Sequence, residues 1–288
     1  MFEGFVQDRI VTSGAEINLR VGGSGPPLLL LHGYPQSHVM WHRVAPRLAE
    51  RFTVVCSDLR GYGDSSKPRG GGNHETYSKR ALARDQVEVM EELGFKHFAV
   101  AGHDRGGRVG HRMALDFPES VERLAVLDIA PTHTMFTGAD MDFGMTYYHW
   151  FFLAQPYDLP ERLIGADPDF YLEWKLGAWG SGVDAFDPAA LAEYKRCFSD
   201  PAAIHASCED YRAAATIDLR HDEEALERRI DCPLLALWGD KGFVGRTYDV
   251  LAVWRDKAER VTGEALPSGH FLAEEAPEDT LRCLLDFF

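Results

Sequence analysis

The stretch Val100-Ala101-Gly102-His103-Asp104-Arg105-Gly106-Gly107-Arg108-Val109 has the spacing of a sharp strand-to-helix turn that exposes one side chain. Glycines stand two residues to either side of the centre, as a turn this tight requires. The residue at the apex is Asp104. A serine there would imply acyl transfer. A carboxylate is ionised near neutral pH without help from a base, so it suits displacement at a saturated carbon, with an alkyl ester of Asp104 as first product. Turnover then requires a second group that activates water against that ester.

His270, in Pro267-Ser268-Gly269-His270-Phe271, is the candidate base. It follows the last strand-like run and precedes a final helix, and its neutral imidazole could take a proton from the attacking water, with activity rising through a pKa of about 6.5. Such a base needs an acid that fixes its tautomer. Asp128 and Asp240 both end strand-like runs, and Asp128 is favoured because its surroundings are more apolar and an unpaired carboxylate there would be costly. The His32-Gly33-Tyr34-Pro35 turn could supply the Tyr34 amide to an oxyanion hole, with the Arg105 amide as second donor. Arg105 and Arg108, three apart at the start of a helix, share a face beside the nucleophile. A substrate carboxylate about 4 Å from Asp104 would be repelled by roughly 4 kcal/mol at an effective dielectric of 20, and an arginine pair offsets that. The competing reading makes one arginine a structural bridge to an acid.

These residues need a scaffold. Apolar runs at Pro27 to Leu31, Phe52 to Ser57, Phe98 to Gly102, Leu124 to Ile129 and Leu234 to Gly239 alternate with helical patterns such as Ser78 to Leu93 and Gly107 to Phe117. Strands and helices in alternation predict an α/β fold with a mostly parallel, doubly wound sheet, preceded by an antiparallel hairpin over 5–22. From Thr132 to Arg220 the strand runs stop and aromatics crowd in, which predicts a helical cap inserted after the sixth strand. The expected division is core 1–131, cap 132–220 and core 221–288. The cap would sit over the carboxyl ends of the strands, where open α/β sheets place their sites.

Composition narrows the partners. With 30 Lys and Arg against 45 Asp and Glu, the net charge of −15 argues against nucleic acid and anionic membranes. No run approaches the roughly 18 apolar residues of a membrane span, and Met1-Phe2-Glu3-Gly4 does not open a secretory signal, so a cytoplasmic location is expected. Five cysteines without metal-binding spacing are read as reduced and mostly buried, and no metal or cofactor is expected.

Taken together, Gly102 to Arg108, Asp128-Ile129-Ala130-Pro131-Thr132, His149-Trp150 and Ser268-Gly269-His270-Phe271 resemble the haloacetate and fluoroacetate dehalogenases of the α/β-hydrolase superfamily. Leu31-His32-Gly33 and Asp58 to Ser65 add superfamily signals, and the resemblance covers nearly the whole chain. It implies Asp104 as nucleophile, His270 as base, Asp128 as its partner, and Arg105 with Arg108 as the clamp for a substrate carboxylate. It also implies His149, Trp150 and Tyr211 as cap residues that hold the departing halide, each offering an N–H or O–H donor. Tyr34 stands where relatives often carry phenylalanine. A homodimer formed through the cap is a further implication. The alternatives are an epoxide hydrolase, which Tyr147, Tyr148 and Tyr211 keep open, and, more remotely, a noncatalytic binding protein on the same fold.

Overall fold

In the computed structural model, which describes residues 1–288, the chain opens as an antiparallel hairpin of β1 (Val6–Val11) and β2 (Glu16–Gly22). It continues through β3 (Pro27–Leu31), the short α1 (Ala45–Leu48), β4 (Thr53–Ser57), α2 (Lys79–Glu92), β5 (Phe98–His103), α3 (Arg105–Asp116) and β6 (Val121–Leu127). Eight α-helices intervene: α4 (Thr132–Thr137), α5 (Met141–Thr146), α6 (His149–Leu153), α7 (Leu159–Gly165), α8 (Pro168–Trp179), α9 (Pro188–Phe198), α10 (Pro201–Ala214) and α11 (Ile217–Glu224). The chain then closes with β7 (Leu234–Gly239), α12 (Phe243–Thr247), α13 (Val250–Arg255), β8 (Val261–Leu266), α14 (Leu272–Glu275) and α15 (Pro277–Phe287).

All eight strands form one sheet in the order β1-β2-β4-β3-β5-β6-β7-β8, antiparallel at the hairpin side and parallel from β4 onward. Its centre is dry. Leu28 to Leu31 and Val54 to Cys56 have no exposed surface, as continuous apolar runs covered by helices on both faces should. The helices of the insert start from a repeated local device: Asp167, Asp187 and Asp200 each cap a helix N-terminus with the side chain, and each is followed by proline in the first turn. No helix is long and apolar enough to cross a membrane.

Several limits differ from expectation by one to three residues, and three differences have a clear physical reason. α3 begins at Arg105 rather than Gly107, because the turn at Asp104 is complete in a single residue. β6 ends at Leu127 rather than Ile129, because Asp128 leaves the strand with φ of +51°. β8 has no counterpart among the predicted strands: it is the sheet's edge, and Val261-Thr262-Gly263-Glu264-Ala265-Leu266 is largely exposed until Leu266, so it presents no apolar run.

The register positions the chemistry. Leu31 pairs with Gly102, His103 with Leu127, Leu127 with Leu237, and Gly239 with Leu266. The carboxyl ends of β3, β5, β6, β7 and β8 therefore lie side by side, and the segments leaving them carry Tyr34, Asp104, Asp128, Asp240 and His270.

Candidate active site

Asp104 holds φ of +43°, a conformation costing a non-glycine residue about 1–3 kcal/mol. The surrounding glycines show why the turn can close. A Cβ on Gly106 would lie 2.5 Å from the carbonyl oxygen of His32, and one on Gly33 would lie 2.6 Å from the Cβ of Asp104. Asp104 is 6% exposed, and its Oδ2 accepts a hydrogen bond from the Tyr34 amide at 3.1 Å. The Arg105 amide, first in α3, faces no acceptor in its own helix. Burial would raise the Asp104 pKa, but His270, Arg108 and Arg105 outweigh it and hold the carboxyl below its usual value.

His270 joins Asp128, its Nδ1 lying 2.6 Å from Oδ2. The other oxygen of Asp128 accepts from the Gly239 amide at 3.0 Å, so the buried carboxylate is bonded on both sides. Asp240 is exposed and does not reach the imidazole; its amide bonds back to Leu266. With Nδ1 taken by Asp128, Nε2 is the ring nitrogen left free for another partner. Burial pushes the His270 pKa down, whereas the hydrogen bond and charge of Asp128, with Asp104 adding, push it up further, and the net shift is upward from 6.5. His103 lies beside it, with ring centres 4.5 Å apart and its Nε2 2.8 Å from the His270 carbonyl oxygen. Burial and His270 lower the His103 pKa to about 3, so this neighbour stays neutral.

The arginines flank Asp104 in different ways. Arg105 is fully buried and forks onto Asp210, with Nε 2.9 Å from Oδ2 and Nη2 2.7 Å from Oδ1. The structural bridge that the sequence left open for one of the two arginines thus falls on Arg105. Asp210 also takes the hydroxyl of Tyr62 at 2.7 Å and the ammonium of Lys79, and burial notwithstanding, Arg105 and Lys79 hold it well below the usual carboxylate range. Arg108 has no carboxylate fork. Its Nη1 donates to the carbonyl of Ala130 at 3.1 Å and to Thr132 Oγ1 at 3.0 Å, and its Nε lies 3.9 Å from Asp104 Oδ1. One N–H centre on each guanidinium, Arg105 Nη1 and Arg108 Nε, has no hydrogen-bond partner.

The insert covers these groups with rings. Tyr211 lies 4.2 Å below the guanidinium carbon of Arg105, and Trp150 lies 4.6 Å from that of Arg108. His149, with Nδ1 unpartnered, stands 5.4 Å from Tyr211 and 4.3 Å from Trp179, centre to centre. Burial, then Lys175 and Arg105, depress the His149 pKa far below 6.5, so it presents a neutral ring. The structure thus gathers Tyr34, Asp104, Arg105, Arg108, Asp128, His149, Trp150, Tyr211 and His270 around one buried centre. Two further residues belong to it. Trp179 accepts a hydrogen bond from the His270 amide on its carbonyl oxygen at 2.9 Å and sets its ring against His149, and Asp210 sets Arg105. Asp210 carries no signal along the sequence, because its partner is 105 positions away.

A sheet of this order, an aspartate on the β5–α3 elbow, and a histidine after β8 bonded to an acid after β6 define a hydrolase-type catalytic arrangement. The chain belongs to the α/β-hydrolase fold family, whose profile matches residues 26–277. Within that family it is 52% identical over 288 residues to a fluoroacetate dehalogenase from Burkholderia sp., the match covering 100% of this chain and 95% of that one. It is 36% identical over 285 residues to a soluble epoxide hydrolase from Corynebacterium sp., covering 96% and 94% of the two chains. The solved structure of an α/β hydrolase from Nostoc sp. superposes with a TM-score of 0.99 at 61% identity, over 100% and 99% of the respective chains.

Proposed function

We propose that the protein hydrolyses the carbon–halogen bond of short 2-haloacids, converting fluoroacetate or chloroacetate to glycolate and halide. The observation that carries this reading is the pair of unpartnered donors, Arg105 Nη1 and Arg108 Nε, beside Asp104 in a buried site. Arg105 is already paired with Asp210 but keeps one free N–H, and Arg108 has no carboxylate fork, so together they call for an anionic ligand, which a substrate carboxylate supplies. The likeness to the Burkholderia fluoroacetate dehalogenase supports the same substrate class.

In this scheme Asp104 Oδ2 stays on the Tyr34 amide while Oδ1, on the Arg108 side, attacks the α-carbon. The carbon–halogen bond breaks as the ester forms, and the halide leaves toward the N–H and O–H groups of His149, Trp150 and Tyr211. Water then gives its proton to His270 Nε2 and attacks the ester carbonyl carbon, while the amides of Tyr34 and Arg105 hold the negative oxygen. Collapse releases glycolate, regenerates the Asp104 carboxylate, and leaves His270 to return its proton to solvent. Asp128 keeps His270 in the required tautomer throughout. No cofactor or metal enters.

An epoxide hydrolase is the second reading. Tyr147 lies close enough to Asp128 and Asp104 for their charges to raise its pKa after burial does so, and Tyr211 is at the site; either phenol could donate to an epoxide oxygen. An epoxide leaves the two arginine donors without an anion, which favours the haloacid. Halide release from fluoroacetate and chloroacetate, measured beside diol formation from styrene oxide and with an Asp104→Ala control, separates the two. Halide release abolished in the control supports the proposal, and diol formation without halide release overturns it.

The proposal treats 132–220 as a cap over cores 1–131 and 221–288, although its last helix runs to Glu224. It includes a homodimer formed through the cap, because Met141, Met145, Leu163, Phe170 and Trp174 there expose more than half their surface. Light scattering across a concentration series tests that assembly. A cytoplasmic location is supported by the five free thiols.

A further inference from the structure

Lys175 is an anomaly in the cap. The residue is 1% exposed, yet burial is the one influence on its ammonium, with no carboxylate charge or hydrogen bond acting beside it. Lysine is almost never buried this deeply without a partner. What surrounds it is aromatic: the ammonium nitrogen lies 3.6 Å from the ring centre of Tyr148, 5.1 Å from that of Trp179 and 5.4 Å from that of Tyr171. The sequence produces this cage economically, since Tyr171, Lys175 and Trp179 are spaced four apart on α8 and share one face. Ring faces attract a cation, but they accept no hydrogen bonds of ordinary strength, so the donors remain available.

The cage adjoins the site without belonging to its polar cluster. Trp179 forms one wall of it and presents the same ring to His149 at 4.3 Å and to His270 at 5.8 Å. The Lys175 charge is felt at His149, where it ranks directly after burial in lowering the pKa. On the outer side Tyr148 is 40% exposed, so the cage lies between solvent and the buried centre.

We propose that Lys175, with Tyr148, Tyr171 and Trp179, forms a second anion site in the cap, a way-station for a small monovalent anion passing between solvent and Asp104. Under the haloacid reading, on which only the identity of the anion rests, that anion is the haloacetate on entry and the halide on exit. An ammonium with free donors lowers the cost of moving such an ion out of water, and the rings keep the site from holding it as tightly as a carboxylate-binding fork would. Burial brings the Lys175 pKa down to about 7, and an arriving anion favours the charged form, so occupancy and protonation reinforce one another.

The test compares the full-length protein with Lys175→Met, which keeps the length of the side chain, and Lys175→Arg, which keeps the charge. Bromide is titrated against tryptophan fluorescence, where solvent-exposed indoles contribute only linear collisional quenching and a bound ion adds a saturable phase. Chloroacetate kinetics and inhibition by added chloride are measured on the same samples. The expected result is that Lys175→Met weakens the saturable bromide phase and raises KM roughly five- to tenfold, with kcat changed by about twofold or less, and that Lys175→Arg recovers most of both. Unchanged bromide binding and KM in a Lys175→Met protein that melts like the parent overturns the site. So does a fall in kcat alone. If the parent hydrolyses no haloacid but its saturable bromide phase still depends on Lys175, the anion site stands and the haloacid reading falls.

Discussion

The two walls of the buried centre are built to different rules. On the sheet side, Asp128 is bonded through both oxygens and Asp104 Oδ2 is held by a backbone amide, while both residues occupy strained turns at the ends of adjacent strands. On the cap-facing side, Arg105 Nη1, Arg108 Nε and His149 Nδ1 are buried without partners, and the Lys175 ammonium meets aromatic rings in place of a carboxylate. A satisfied wall resists rearrangement and keeps the reacting groups in line, whereas an unsatisfied one is incomplete until a ligand arrives. The difference separates orientation from recognition. Asp210 has a separate part: it comes from the insert yet completes an arginine of α3, so it fastens the insert to the core.

The largest effect should come from the recognition wall. Replacing Arg108 with Met removes a free donor and its charge, and is expected to reduce kcat/KM for chloroacetate by about 2–4 kcal/mol, or roughly thirty- to a thousandfold, and to abolish competitive inhibition by acetate. Survival of acetate inhibition would mean that the two walls do not divide as described.

Asp210→Asn should break the fastening. It leaves Arg105 and Lys79 buried with a weakened partner, so denaturant unfolding is expected to show a loss of about 3 kcal/mol. A change below about 0.5 kcal/mol would remove Asp210 from its place as the link.

His149→Phe tests recognition of the leaving group alone. Because departing fluoride needs a donor more than chloride does, fluoride release should fall about tenfold while chloride release falls less. Equal losses would point to packing instead of donation.

The smallest and most diagnostic effect is on pH dependence. With His270 as the proposed base, its neutral form is the active one, so kcat/KM should be lost as pH falls through its pKa, and the net upward shift places that half-point above 6.5, not at the ordinary value. In Asp128→Asn the raising causes from Asp128 are gone and burial dominates, so the half-point should move to lower pH even as the rate drops. The ester intermediate also lacks the Asp104 charge. If its hydrolysis limits turnover, kcat should reach its half-point at lower pH than kcat/KM.

Much of this was legible in the residues, unevenly. β3 and β7 match their predicted limits, because a central strand covered on both faces is a continuous apolar run. The edge strand β8 left no such trace. Asp104 was legible because the spacing of its glycines is a local steric requirement, and His270 was singled out from its place between the last apolar run and the final helix, although β8 lies between. The choice of Asp128 over Asp240 rested on the apolar character of its run, and the 2.6 Å contact to His270 shows why that character mattered.

What the sequence determined by itself is whatever depends on near neighbours: the elbow, the helix caps, the alternation of strands and helices, and the types of groups available for chemistry. What only the tertiary structure decided is which charges meet. Arg105 and Asp210, and Arg108 and Trp150, are brought together by the folding of the insert over the sheet, and Lys175 and Tyr148 by packing within the insert. Whether a buried cation is already satisfied or still waiting for an anion depends on that packing, because the strength of such a pair is set by distance and burial rather than by separation along the chain.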